Sequence, residues 1–267
     1  MLIKTNQISV DYRDSGSGVP VIFIHAFPLN QTMWDDQVTE LQTQCRAITL
    51  DLRGFGKSDA PQGPYSMDQM AGDVRDLMSA LGIDRAILVG LSMGGYVSLA
   101  FYRRYPQSVM ALVLADTRAS ADTPEARERR LKSAAKAEKD GAHAIADDMV
   151  PLLLGPTTLG SRPSIVQRVR TMIEANSPVG IAGAQRGMAE RSDSTELLRG
   201  IELPALVIVG SEDMLTPVTE AENLSTGIPG AGLRVIERAG HLSNLERPEE
   251  FNAALIDFIK EVRIPRS

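Results

Sequence analysis

A serine set between two glycines, Gly90-Leu91-Ser92-Met93-Gly94, is the segment of this sequence with the clearest chemistry. It closes the apolar run 86–89 and opens an amphipathic stretch, 93–105. A tight turn from a strand into a helix holds its central residue in a strained backbone conformation. Small residues on either side avoid the clashes that larger ones would bring. A hydroxyl raised there stands above a helix N-terminus, whose free N–H groups and positive dipole end favour an oxyanion. The Met93 amide, one residue after the serine, is the expected first donor. Such an arrangement suits nucleophilic attack on an acyl carbonyl.

A serine hydroxyl is a weak nucleophile near neutral pH, so a base must take its proton. The chain has three histidines. His25 closes the first long apolar run. His143 lies in the charged stretch AEKDGAHAIADD and is expected to be exposed. His241 follows the last apolar run, in AGHLSN. The imidazole in turn needs a carboxylate to fix its tautomer and stabilise its cation. Asp213 ends an apolar run through the turn Ser211-Glu212-Asp213, and Asp116 ends the run before it. Glu212 is adjacent to Asp213, but its side chain should project differently.

These residues are far apart in the chain, so a scaffold must bring them together. Short β-branched runs occupy 19–26, 46–52, 85–92, 109–116, 204–213 and 233–240. Each has the length of a strand, and near-continuous apolar runs suit a parallel sheet covered on both faces. Helix-like stretches lie between them. Over 67–81, Met70, Val74, Leu77, Met78 and Leu81 recur at helical spacing, with Ser66 as N-cap and Gly82 as stop. The stretches 93–105 and 248–262 read the same way. Alternation of this kind means an α/β fold. The opening, 2–4 and 8–13 around Thr5-Asn6-Gln7, reads as an antiparallel hairpin on the sheet edge. The alternation breaks from about 118 to 198, where no strand is evident and Pro124, Pro151, Pro156, Pro163 and Pro178 punctuate the chain. We read several short helices inserted between two core strands. The expected organisation is a first core part at 1–117, a helical cap or lid at 118–198 and a second core part at 199–267.

Composition narrows the function. With 267 residues the chain can bury roughly three quarters of its unfolded surface, enough to support a site of distant residues. A net charge of −6 argues against a general nucleic-acid binder, which needs a basic face. A single cysteine, Cys45, allows no internal disulfide and suggests a reducing compartment. The first residues lack the apolar core of a secretory signal, and the apolar run 19–27 is far below the length of a membrane span. A cytoplasmic protein without membrane attachment is expected. No metal-binding spacing of His and Cys is present. The cluster Gly90–Gly95 matches neither a dinucleotide fingerprint nor a P-loop.

The segments HAFPLNQTMWDDQ, DLRGFGKSDAP, VGLSMGGYVSLAFYRRYP, LVIVGSEDMLTP and AGHLSNLERPEEF resemble the α/β-hydrolase superfamily over nearly the whole chain. Within it they are most similar to small carboxylesterases, enol-lactonase-like hydrolases and cofactor-free perhydrolases. The resemblance implies a mostly parallel eight-stranded sheet with helices on both faces and a helical cap inserted between core strands. It implies the chain order nucleophile, acid, base, which selects Ser92, Asp213 and His241. Asp116 remains the rival acid, since some members carry theirs there. His25-Ala26-Phe27-Pro28 resembles the family's His-Gly-X-Pro loop, so the Phe27 N–H would be the second oxyanion donor. Ala26 stands where glycine is usual. Alanine resists positive φ, so this loop is expected to differ slightly. His25 then reads as a structural hydrogen-bonder. The segment 51–58 resembles the motif D-x-R-G-x-G-x-S and reads as scaffold, with Asp51 and Arg53 expected to pin the loop by ion pairing.

The implied reaction is cleavage of a small, mainly apolar ester or lactone through an acyl-enzyme, with no cofactor. A serine nucleophile argues against the branches that use aspartate at this position. Phe27, Trp34, Met93, Met149, Leu152, Leu153 and Met172 are the expected apolar liners of the pocket beneath the cap. Two other functions fit the same residues. One is perhydrolysis, with peroxide as acyl acceptor, toward which Pro28 and its neighbours point. The other is a hydrolase-fold ligand receptor with little turnover.

Overall fold

The computed structural model describes residues 1–5 and 8–263. Among them the strands are β1 (Leu2–Lys4), β2 (Ser9–Gly16), β3 (Pro20–Ile24), β4 (Arg46–Leu50), β5 (Ala86–Leu91), β6 (Val109–Ala115), β7 (Ala205–Gly210) and β8 (Gly232–Ile236). They form one sheet in the order β1-β2-β4-β3-β5-β6-β7-β8. Strands β3 to β8 run parallel, whereas β1 pairs antiparallel with β2 and β2 antiparallel with β4. The edge hairpin is therefore present. Thr5 N–H donates to the Ile8 carbonyl at 2.8 Å, and Asn6 and Gln7 of the expected turn lie outside the described residues. Every residue of β5 and β7 is buried, as their unbroken apolar runs require.

The helices are α1 (Asp35–Leu41), α2 (Met67–Ala80), α3 (Met93–Arg104), α4 (Pro124–Leu153), α5 (Pro156–Ser161), α6 (Pro163–Glu174), α7 (Pro178–Ala189), α8 (Thr195–Leu198), α9 (Val218–Gly227), α10 (Ser243–Glu246) and α11 (Pro248–Arg263). They cover both faces of the sheet. Helix α1 packs with α11, and α2 packs with α3. Ser66 caps α2 by accepting the Gln69 N–H at 3.1 Å, and Gly82 follows at φ +66°. Among the described residues no helix is long and apolar enough to cross a membrane.

The sheet order reverses between β3 and β5. The first connection runs outward from β3 to β4, and the chain then returns to β3's other side. Ligands in such sheets bind outside the carboxyl ends of the strands, where this reversal opens a crevice. Ile24 of β3 pairs with Gly90 of β5, so the loops leaving both strands emerge side by side at that point.

Helices α4 to α8 fill the interval between β6 and β7, and no strand lies there among the described residues. The expected short helices are present as α5 to α8, and α4 is the longer exception. Helix α4 spans 30 residues and breaks only at Gly141, whose φ of 82° and ψ of 178° are not helical. Open space surrounds this glycine, so its backbone conformation, not crowding, makes the break. Pro124, Pro156, Pro163 and Pro178 each head a helix, where the missing N–H costs nothing. Pro151 instead sits inside the last turn of α4.

Candidate active site

Ser92 occupies the single residue between β5 and α3, with φ 54° and ψ −112°. A non-glycine residue held there costs on the order of 1–3 kcal/mol, so its surroundings must over-determine it. They do. Its N–H donates to the Ala115 carbonyl at 2.9 Å. Its carbonyl accepts the Gly95 N–H at 2.9 Å and the Thr117 hydroxyl at 2.8 Å. A Cβ on Gly90 would stand 2.3 Å from the Gly94 carbonyl oxygen, and one on Gly94 would stand 2.1 Å from that of Ile24. Both glycines of the motif are thus demanded by close backbone approach.

His241 Nε2 lies 2.8 Å from Ser92 Oγ, and its Nδ1 lies 2.8 Å from Asp213 Oδ2. Asp213 accepts the Leu215 and Thr216 N–H groups on Oδ1, at 2.8 and 3.0 Å, and the Thr216 hydroxyl on Oδ2 at 2.6 Å. Burial alone would push the Asp213 carboxyl up. The charge and hydrogen bond of His241, with the Thr216 donors, outweigh burial and hold it below the ordinary range. An ionised Asp213 fixes the tautomer: Nδ1 carries the proton and donates it to Asp213, leaving Nε2 free to accept from Ser92.

Asp116 lies close by without joining this line. It is fully buried, at φ 44°, and accepts the Gly210 N–H at 2.8 Å and the Ser243 hydroxyl at 2.5 Å. Burial, reinforced by the charge of Asp213, pushes its carboxyl well above the usual range. Glu212 turns toward α5, where Oε2 accepts the Thr157 N–H at 2.9 Å and Oε1 the Thr157 hydroxyl. Of the three acidic residues, Asp213 meets the imidazole.

The other two histidines take different places. His25 is fully buried, and its Nε2 accepts the Leu52 N–H at 3.0 Å while Nδ1 donates to the Ala26 carbonyl at 2.9 Å. Burial holds its imidazole below the ordinary value. Both nitrogens are occupied, so it braces the two loops and has no free site for a proton relay. His143 is exposed and contacts Glu174 at 2.9 Å.

The loop 25–28 follows β3 past the start of α3, as the close approach of Gly94 to the Ile24 carbonyl shows. Ala26 is not among the residues at positive φ, so alanine suits this loop without strain. Met93 is the first residue of α3, and its N–H therefore has no acceptor inside the helix. The Phe27 ring meets Phe55 edge-on at 6.2 Å. The expected ion pairing of Asp51 and Arg53 takes another form. Arg53 makes a buried two-point pair with Asp73 of α2, both contacts at 2.6 Å. Asp51 holds its loop through main-chain N–H groups, those of Gln31 at 2.8 Å and Lys57 at 2.9 Å.

A cavity of about 480 Å³ opens above Ser92 and His241. Phe27, Met149, Leu152 and Leu153 line it, as expected from the sequence. Trp34, Met93 and Met172 do not. Trp34 is fully buried in the core between Phe23 and Phe251, with ring centroids 5.3 and 6.1 Å away. Met172 is buried on α6, and Met93 is buried at the start of α3. Apolar character alone does not separate a core side chain from a pocket wall. Charged residues share the lining with the apolar ones. Arg118, Asp122, Arg129, Arg130 and Asp148 all face it. Ala126, Arg129, Arg130 and Ser133 recur at i, i+3, i+4 and i+7, so the first half of α4 turns one polar stripe inward.

Two further groups escape a motif search. Thr216 ties Asp213 in place from three residues on, in an Asx-turn whose carboxylate accepts the Leu215 and Thr216 N–H groups. Glu246, fully buried, grips both sides of His241. Its Oε1 accepts the Gly240 N–H at 2.9 Å and the Leu242 N–H at 3.3 Å, and its Oε2 reaches the Gly155 N–H at 2.9 Å. It thereby links the histidine loop to the chain entering α5. Among the described residues no group of three or more His, Cys, Asp or Glu is placed to hold a metal ion.

Comparison with known proteins follows from this geometry. A family model described as the alpha/beta hydrolase fold matches residues 19–248. The 3-oxoadipate enol-lactonase 2 of Acinetobacter baylyi is 32% identical over 255 residues, covering 95% of this chain and 94% of that protein. A thermophilic esterase from Thermogutta terrifontis superposes with a TM-score of 0.96 at 40% identity, over 99% of both chains. The enol-lactonase from Burkholderia xenovorans LB400 superposes with a TM-score of 0.91 at 31% identity, over 97% of this chain and all of that one.

Proposed function

The chain belongs to the alpha/beta hydrolase fold family, and from that premise we propose that it is a serine hydrolase of carboxylic esters or lactones, working through an acyl-enzyme on Ser92. One observation carries the reading: the buried line from Ser92 Oγ to His241 Nε2, and from His241 Nδ1 to Asp213 Oδ2, with 2.8 Å at each step. Similarity to esterases and enol-lactonases supports ester or lactone cleavage in general.

In this reading Ser92 Oγ attacks the acyl carbon while His241 Nε2 takes its proton. The carbonyl electrons move to oxygen, and the Phe27 and Met93 N–H groups receive the resulting oxyanion. Each such donor is worth about 3 kcal/mol to the transition state. His241 then protonates the departing alcohol oxygen, and the C–O bond breaks. Water next gives a proton to His241 and attacks the acyl carbon, and Ser92 leaves with that proton restored. Asp213 stays ionised throughout and stabilises the imidazolium. Residues 118–198 act as the cap that covers the cavity, and the cell compartment in this reading is the cytoplasm.

The test is hydrolysis of p-nitrophenyl butyrate by the purified protein and by Ser92→Ala. Loss of turnover in the variant supports the reading. Equal rates in both refute it. Peracid formation from acetate and peroxide by the same preparation would move the assignment to perhydrolysis.

A further inference from the structure

We propose that the cavity carries a carboxylate-binding wall formed by Arg118 and Arg129, so that the preferred ester bears an anionic group beyond its scissile bond. This rests on the hydrolase reading for the place of the scissile bond, at Ser92, but the wall is built from other residues.

The two halves of α4 line the cavity differently. After the break at Gly141 the helix presents Met149, Leu152 and Leu153. Before the break it presents Arg129 and Arg130, with Arg118 just ahead of the helix. A substrate filling the cavity meets an apolar flank on one side and guanidinium groups on the other.

On that second side the contacts are unevenly shared. Asp122 is the shared partner of three arginines. Arg191 contacts it at 2.7 Å, Arg130 contacts it through Nε, and Arg118 reaches it only at 3.3 Å. Burial would push Asp122 up, but Arg130 and Arg191 outweigh burial and hold it below the usual carboxylate range, so it stays ionised. Three arginines therefore share this one contact carboxylate, while Glu220 acts on Arg118 and Glu125 on Arg129 from beyond ion-pair distance. Asp148, the other carboxylate of the lining, is already paired with Lys136 at 2.6 Å. Arg118 keeps a buried Nε–H that has no acceptor, and a buried donor of this kind costs free energy until something accepts from it. Arg129 is exposed and makes no hydrogen bond or ion pair among the described residues.

Arg130 and Arg191 are thus committed to holding Asp122. Arg118 meets Asp122 only at 3.3 Å and keeps its Nε–H without an acceptor, and Arg129 acts on Glu125 without an ion-pair contact, so both keep N–H groups to offer a ligand. The guanidinium fork matches a carboxylate at two points, and charge-assisted contacts of this kind are roughly twice as strong as neutral ones. The charged lining, three arginines against Asp122 and Asp148, is net positive and attracts anionic solutes. That sign is opposite to the chain's own net charge of −6, so the patch is a local departure from an acidic molecule.

The experiment measures binding and turnover separately. Ser92→Ala protein is titrated calorimetrically with monomethyl glutarate, an anion at pH 7.5, and with the neutral dimethyl ester. The expected result is at least about tenfold tighter binding of the half-ester, shrinking to within about twofold at 0.5 M NaCl as screening takes effect. Adding Arg129→Gln or Arg129→Glu should reduce the preference, the reversal more than the neutralisation. Arg129 is exposed, so neither change threatens folding, and a thermal melt checks this. Arg118→Gln should act in the same direction. Equal or undetectable binding of the two compounds, or a preference that survives both arginine changes, overturns the wall. Hydrolysis of dimethyl glutarate by the unmodified protein reports on the hydrolase reading alone. Binding preference without hydrolysis would keep the wall and remove that reading, and hydrolysis without preference would do the reverse.

Discussion

The floor and the wall of one cavity are built by opposite means. On the floor, four hydrogen bonds hold the Ser92 backbone, three donors besides the histidine hold Asp213, and Glu246 holds the backbone on both sides of His241. Nothing there is free to wander, and a 1 Å error in such a relay costs on the order of a hundredfold in rate. On the wall, Arg129 lies exposed on a helix face and Arg118 holds its aspartate loosely. Charge that must meet different ligands gains from reach, not from fixity. The floor's residues come from loops at strand ends, which the sheet register fixes. The wall comes from the helices between β6 and β7, outside the sheet. On the proposed reading, chemistry and selectivity fall to separate parts of the chain.

Substitutions can break that contrast, and the largest effects belong on the floor. His241→Ala should lower kcat/KM for a neutral p-nitrophenyl ester by about 10⁴-fold or more, because the serine then has no base. Next comes Asp213→Asn, expected to cost about 10³- to 10⁴-fold by stabilising the wrong tautomer. Asp116→Asn, measured beside it, should stay within about tenfold of the unmodified enzyme, since Asp116 does not touch the imidazole. Parity between the two asparagine variants would show that the floor tolerates an acid at either strand end. A smaller loss, about tenfold to a hundredfold in kcat with little change in KM, is expected for Glu246→Gln. The amide keeps one acceptor oxygen where the carboxylate had two. A change confined to KM would mean that Glu246 serves the cap and not the histidine.

The smallest expected effect is on stability and concerns pH. An unfolded aspartate titrates near about 3.9, and burial raises Asp116 well above this in the folded protein. Between those two values the folded state holds a proton that the unfolded state has released. Folding stability from this group is therefore full below the unfolded value and is lost as pH rises toward the folded one. Asparagine cannot titrate. Asp116→Asn should raise the urea midpoint relative to the unmodified protein more at pH 7 than at pH 4. A difference that is the same at both pH values would show that Asp116 is ionised in the native state.

The floor could be read from sequence further than the wall, for physical reasons. Close backbone contact leaves only glycine at positions 90 and 94, so the turn around Ser92 is written in residue types. The strands are apolar runs and α2 has its cap in Ser66. The choice between Asp116 and Asp213 was less open to reading, because both end buried strands and only the three-dimensional course of the loops turns one toward His241. Arg53 illustrates the same limit: its partner Asp73 lies on another element, and the nearer Asp51 is engaged with main-chain N–H groups. The wall was harder still. Charged residues on α4 read as a solvated face, and helical period alone does not say which face of the helix the sheet edge meets. Trp34 reads as a liner because size and apolarity are common to cores and pockets, and only the fold brings Phe23 and Phe251 against it.

The central claim is that Ser92 carries the acyl group between the two halves of the reaction. Rapid quenching of the protein with p-nitrophenyl trimethylacetate, whose bulky acyl group leaves slowly, followed by intact-mass and peptide analysis, tests it most directly. The account predicts a burst of p-nitrophenol close to one per protein, and one trimethylacetyl group on the peptide that contains Ser92. It predicts neither in Ser92→Ala. Steady turnover with Ser92 unmodified, or an adduct that persists in Ser92→Ala, would contradict it.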